Sequence, residues 1–153
     1  MCTQRIRARI PAAEAIATGY VTHRRLAFHK LGHDGSGKAN AVYTGDAADR
    51  VWGVVFRLPG HDKPKLDEFE IGYDDEQVVV IDGSLEIVAR TYVAQESVVD
   101  DSLIPFDWYH RFVIHGARQH GLPDEYIGQL QEMTSVADSD LDRVQLNARI
   151  IEL

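Results

Sequence analysis

Residues 51–73 read VWGVVFRLPGHDKPKLDEFEIGY, and this stretch decides how the rest of the chain is read. Val51, Trp52, Val54, Val55, Phe56 and Leu58 form an apolar run too short for a helix and rich in β-branched and aromatic side chains, so the run predicts a buried strand. Pro59 and Gly60 end it. The following residues predict a short helix with Asp62 as N-cap and Pro64 in the first turn, where a missing N–H is harmless. At about 100° per residue, Leu66 and Phe69 define the apolar face; Asp67 and Glu68 point about 130° from its centre and Glu70 only about 70°. Glu70 is therefore expected to be partly buried. Burial disfavours its charged form, and a place in the last helical turn, near the negative end of the macrodipole, disfavours it further. A carboxylate so placed is a candidate acid/base group. The plainer alternative is a rim residue whose head reaches water.

Upstream of this stretch, Thr3 to Arg9 predicts a short helix stopped by Pro11. Ala15 to Leu31 has a strand pattern with a break at Arg24-Arg25. His33 to Asn40 (HDGSGKAN) reads as a loop, and Ala41 to Thr44 as a short strand. Downstream, Val78 to Ile81 and Leu85 to Ala94 are β-rich runs joined by Asp82-Gly83-Ser84, a short glycine-containing connection of the hairpin kind. Gln95 to Ile104 is polar and acidic and reads as a surface loop. Helical spacing then takes over at Phe106 to His120, at Pro123 to Met133, and along Leu141, Val144, Ala148 and Ile151. Strands first and helices later predict one α+β domain over residues 1–153: a mostly antiparallel sheet, open or closed into a barrel, with flanking helices.

With 153 residues, the chain can bury about 70% of its unfolded surface without disulfide or metal staples. No apolar run has membrane-spanning length, and MCTQRIRAR lacks the apolar core of a signal peptide, so the expected setting is cytoplasmic. A net charge of -8 argues against a nucleic-acid partner, because phosphate binding needs a basic face. Arg5, Arg7 and Arg9 are read as a solvated helix face. The single cysteine, Cys2, has no partner for an internal disulfide and is assigned no chemistry.

Other motifs are set aside. His29 and His33 have the four-residue spacing of a helical ligand pair, but Gly32 and the surrounding strand pattern argue against a helix there and no acidic or cysteine cluster supplies further ligands, so no metal site is assigned. His110, His115 and His120 do not share a helical face. Gly35-Ser36-Gly37-Lys38 resembles a phosphate loop in composition, yet it lacks the first glycine at the required spacing and the Ser/Thr after the lysine. No serine or cysteine sits in a nucleophile motif.

Taken in order, RIRARIP (Arg5–Pro11), LAFHK with DGSGKA (Leu26–Ala39), VWGVVFRL (Val51–Leu58), LDEFE (Leu66–Glu70), ARTYVA (Ala89–Ala94) and DWYHRFVIHGARQHGLPDEYI (Asp107–Ile127) resemble the γ-glutamylcyclotransferase family. The resemblance implies a small mixed barrel with flanking helices. It also implies conversion of γ-glutamyl amino acids or amines into 5-oxoproline and a free amine, without a cofactor. It places the family's catalytic glutamate, the last residue of LDxxE, at Glu70, and its substrate-contacting tyrosine at Tyr109. A small-molecule γ-glutamyl substrate follows.

Two departures stand out. Ile71 intervenes between Glu70 and Gly72, where the family usually has glycine directly after the glutamate. Family members also carry an apolar strand ending in Tyr-Gly-Ser-Asn just before the residues that match Met1 to Pro11. The match begins abruptly at Met1, which implies that Met1 is an internal methionine of a longer natural protein. A sheet without that strand has an exposed edge of the kind that recruits another chain, here a second copy in a homodimer. The reading that competes with an enzyme is a binding or structural module of the same fold, catalytically impaired by lack of the Tyr-Gly-Ser-Asn cradle.

Overall fold

The structure is a computed structural model and describes residues 2–152; the expectation that Met1 is internal lies outside them. Five helices and six strands follow one another as α1 (Thr3–Arg9), β1 (Glu14–Thr22), β2 (Arg24–Leu31), β3 (Gly37–Tyr43), β4 (Arg50–Arg57), α2 (Lys63–Asp67), β5 (Tyr73–Asp82), β6 (Leu85–Ala94), α3 (Asp107–Gln119), α4 (Asp124–Glu132) and α5 (Leu141–Glu152). The strands form a four-stranded antiparallel sheet in the order β4-β1-β5-β6 and a separate β2-β3 hairpin. Antiparallel sheets with flanking helices are the α+β class expected, but the sheet is not closed into a barrel. His23, at φ 60, turns the chain between β1 and β2, and β2 pairs with β3 rather than joining the large sheet. The hairpin comes back against β6 through a side-chain bond rather than a ladder, with the Ala94 N–H donating to Asn40 Oδ1 at 3.0 Å.

Two strands are longer than the sequence pattern predicts. β3 starts at Gly37, inside the expected loop, and Gly37 and Lys38 pair with Leu31 and Lys30 of β2. Only glycine fits at 37, because a Cβ there would lie 2.1 Å from the Phe28 carbonyl oxygen. β5 starts at Tyr73 rather than Val78, and its acidic opening is neutralised from neighbouring elements. Arg90 on β6 donates to Asp75 at 2.8 Å, Lys63 on α2 to Asp75 at 2.9 Å, and Arg24 on β2 to Glu76 at 2.7 Å. The β5-β6 connection at Gly83, with φ 58, is the expected hairpin turn.

α2 is also corrected. It spans five residues, Asp62 makes no side-chain cap, and Phe69 is 47% exposed, so only Leu66 anchors the helix. Leu66 packs with Ile10 and Ala13, backed by Ile6, Phe56, Leu58 and Tyr92, and this cluster ties α1 and α2 to β4 and β6. A second cluster joins α3 to α4 through Ala117, Leu122, Tyr126, Ile127 and Leu130. A third joins α1, α3 and α5 around Cys2, Trp108 and Phe112. Cys2 is thus buried at the start of α1 rather than lying loose at a chain end.

Asp138 fastens α5 to α3. Its buried carboxylate accepts from Trp108 Nε1 at 2.8 Å and from Arg143 Nε and Nη2 at 2.6 Å each. The Arg143 guanidinium holds the Asp138 carboxyl well below the usual carboxylate range. A group depressed in the folded state contributes stability above its unfolded value of about 3.9 and loses it as pH falls through the folded value. Asp138→Asn is therefore expected to lower the urea midpoint at pH 7, with the gap to the parent protein narrowing below about pH 4. Parallel urea titrations at pH 7 and pH 3 check both halves of this expectation.

Candidate active site

Glu70 lies just beyond α2, not in its last turn, so the helix macrodipole does not act on it as the sequence pattern suggested. The chain leaves α2 in a tightening spiral, with Phe69 N–H bonded to Leu66 O at 2.9 Å and Glu70 N–H to Asp67 O at 3.0 Å. It then reverses in a turn closed by Tyr73 N–H to Glu70 O at 3.1 Å. Gly72 takes the third position of that turn at φ 82, which a side chain would strain. Ile71, the residue that departs from the family pattern, is 59% exposed, and the positive φ falls on Gly72 after it.

The turn aims the Glu70 side chain, 21% exposed, at a cavity of about 240 Å³ between α1, α2, β6 and α3. Arg5 and Arg9 of α1, Tyr92 of β6, and Tyr109 and Phe112 of α3 share the lining with Glu70. The volume is below the roughly 300–1,000 Å³ common for small-molecule sites and suits a single amino-acid-sized group. A larger hollow of about 600 Å³ lies against the large sheet, but aliphatic residues such as Val54, Val80 and Ile87 dominate its wall, and no carboxylate lines it. Of these two cavities, the smaller is the one with a side-chain acid on its wall.

Arg9 Nη1 donates to Glu70 Oε1 at 2.9 Å. Burial pushes the Glu70 carboxyl up, while Arg9, Arg5 and Lys30 oppose the rise; the balance remains upward from an ordinary glutamate. Arg5, read from sequence as solvated, is half-buried, with its guanidinium 4.6 Å from the centre of the Phe112 ring. Lys30, 6% exposed, reaches in from β2 with its ammonium 4.8 Å from the Tyr73 ring centre, and burial lowers its pKa. In a chain of net charge -8, three cations thus act on one carboxylate.

Tyr109 is half-buried on α3, and its hydroxyl oxygen accepts the Ala39 N–H at 3.1 Å, leaving the phenolic proton free to donate. Tyr73 donates to the Ala39 carbonyl at 2.8 Å, so one residue of β3 fixes both phenol heads. Burial pushes both tyrosines up, and they stay protonated at neutral pH. The structure therefore brings Glu70 and Tyr109 to one cavity. Sequence reasoning missed Arg5, Arg9, Lys30 and Tyr73. The one available signal was the four-residue spacing of Arg5 and Arg9, which puts them on one helix face opposite no acidic partner on the same helix.

Among the described residues, no group of three or more His, Cys, Asp or Glu side chains is arranged to hold a metal ion. No helix among them is long and apolar enough to cross a membrane.

A solved structure of a gamma-glutamyl cyclotransferase superposes with a TM-score of 0.81 at 24% identity, over 95% of this chain and 92% of that one. A crystal structure of an uncharacterized human protein gives 0.81 at 25% identity, over 94% and 92%. The human and mouse proteins named gamma-glutamylcyclotransferase are 28% and 29% identical over 144 residues, spanning 86% of this chain and 72% of each relative. The fold is thus of the γ-glutamylcyclotransferase-like class. A model of the AIG2-like family matches residues 50–130, from β4 into α4, and the chain belongs to that family.

Proposed function

We propose that this protein cyclises γ-glutamyl amides to 5-oxoproline and releases the free amine, with Glu70 acting as both base and acid. The observation that supports this most directly is the placement of Glu70: a half-buried carboxyl on the wall of an amino-acid-sized cavity, with its proton affinity raised. The substrate carries its own nucleophile, so the protein need only fold the chain and move a proton. Glu70 takes a proton from the substrate α-ammonium. The freed nitrogen attacks the γ-carbonyl carbon, a C–N bond forms, and the carbonyl oxygen becomes an oxyanion. Collapse breaks the bond to the leaving nitrogen, which receives the proton from Glu70; the ring nitrogen then gives its second proton to the Glu70 carboxylate, which passes it to the released amine as its ammonium. Protons and electrons balance within the substrate and one carboxyl, and no co-reactant is consumed.

Tyr109 would orient the folded substrate through its free phenolic proton, and the surrounding cations would offset the oxyanion charge. The same reading assigns a small-molecule γ-glutamyl substrate rather than a nucleic acid, a cytoplasmic setting and a homodimer. A γ-glutamyl amide panel, spanning amino acids, polyamines and Nε-linked lysine, tests the reading when 5-oxoproline is measured by mass spectrometry. At least one member should give 5-oxoproline. Folded protein that releases none from the whole panel would leave the binding-module alternative standing. Because the base is raised, the acid limb of kcat/KM is expected above the pH of an ordinary glutamate, about 4.3.

A further inference from the structure

Arg9 and Glu70 present a cation and an anion side by side, 2.9 Å apart, on the wall of one small cavity. An α-amino acid head carries the complementary pair, an ammonium and a carboxylate on one carbon, and an Arg-carboxylate contact is among the strongest such bonds. The free protein also has a charge imbalance there. Arg5 and Arg9 from α1 and Lys30 from β2 face Glu70, while the other titratable groups around it, Tyr73 of β5, Tyr92 of β6 and Tyr109 of α3, are neutral. One further anion would bring that cluster closer to neutrality. Arg9 is the cation able to supply the contact, because it is 27% exposed and lines the cavity, whereas Arg5 is committed to Asn147 at 3.2 Å and to the Phe112 ring.

We propose that Arg9 exchanges partners on binding: it leaves Glu70 for the α-carboxylate of an anionic γ-glutamyl substrate, placing the substrate's ammonium against the carboxylate it has released. This rests on the cyclisation reading above. The exchange links recognition to chemistry. A ligand with a free α-carboxylate removes the one cation hydrogen-bonded to Glu70 at the moment a base is needed, and a ligand whose carboxylate is blocked leaves Arg9 in place. Arg9 is thus a positioning and specificity residue, and Glu70 carries the proton.

The test compares a γ-glutamyl substrate with its α-carboxamide in the parent protein, in Arg9→Met and in Arg9→Lys. The parent should prefer the free acid by about 10–100-fold in kcat/KM, the range of a lost charged hydrogen bond. Arg9→Met should lose that preference, mainly through KM, and its acid limb should move to higher pH because Glu70 loses its nearest cation. Arg9→Lys should recover part of the preference, which a purely structural role would not give. Circular dichroism checks folding, and Arg9→Lys serves as the readout should Arg9→Met unfold. An unchanged preference in a folded Arg9→Met that still turns over overturns the exchange and leaves the cyclisation reading intact. Absence of turnover in the parent overturns the cyclisation reading and the exchange with it.

Discussion

Glu70→Gln is expected to remove 5-oxoproline release by about 10²–10⁴-fold or more while the fold survives. Glutamine keeps the volume and can still accept the Arg9 N–H that Glu70 takes at 2.9 Å, but it neither takes nor returns a proton at neutral pH. The effect should fall on kcat rather than KM, since the lost interaction belongs to the transition state. Glu70 sits in a turn whose hydrogen bonds are all made by backbone, so the substitution should leave the melting temperature near that of the parent protein. A steady-state assay with a thermal scan checks both. Retained turnover in Glu70→Gln would place the proton transfer on another group.

The largest effect on stability is expected from Ile10→Ala. Ile10 has no exposed surface and joins Ala13 and Leu66 in the cluster that binds α1 and α2 to the sheet. Truncating a fully buried isoleucine costs about 2–5 kcal/mol, part for lost burial and part for the cavity left behind. Total stabilities of such domains are about 5–15 kcal/mol, so a large share is at stake. The cost is also functional, because Ile10 follows Arg9 directly and packs on Leu66, four residues before Glu70. Loosening this cluster should separate the Arg9–Glu70 pair and lower activity well below the melting temperature. Urea unfolding of Ile10→Ala measures the first effect and turnover at low temperature the second. A stability change under about 0.5 kcal/mol would contradict the packing around Ile10.

Elements whose evidence is local were legible in the sequence. VWGVVFRL lies in β4, Asp82-Gly83-Ser84 lies at the β5-β6 turn, and the three C-terminal helices fall within a residue or two of their expected spans. The angle of Glu70 from the apolar face points to its burial, although Phe69 is exposed and the helix stops before Glu70. The nature of the rest explains why it was hidden. Asp74, Asp75 and Glu76 look like a strand breaker until Arg90, Lys63 and Arg24 arrive from other elements. Gly37 to Asn40 looks like a loop because its small residues serve close packing on β2, a requirement with no sequence period. Arg9 finds its partner 61 residues away and Arg5 meets Asn147 across the fold, so no helical pattern could separate them from solvated arginines. The break expected at Arg24-Arg25 falls one residue earlier, at His23, whose left-handed backbone no strand pattern announces.

The most direct measurement is the isotopic content of the product when the protein turns over a γ-glutamyl amide in ¹⁸O-labelled water. Cyclisation at the Glu70 cavity forms the new bond from the substrate's own nitrogen, so the product should be 5-oxoproline with no oxygen from solvent. Labelled glutamate would show that water is the nucleophile and that the carboxyl at position 70 serves hydrolysis, in contradiction to intramolecular ring closure.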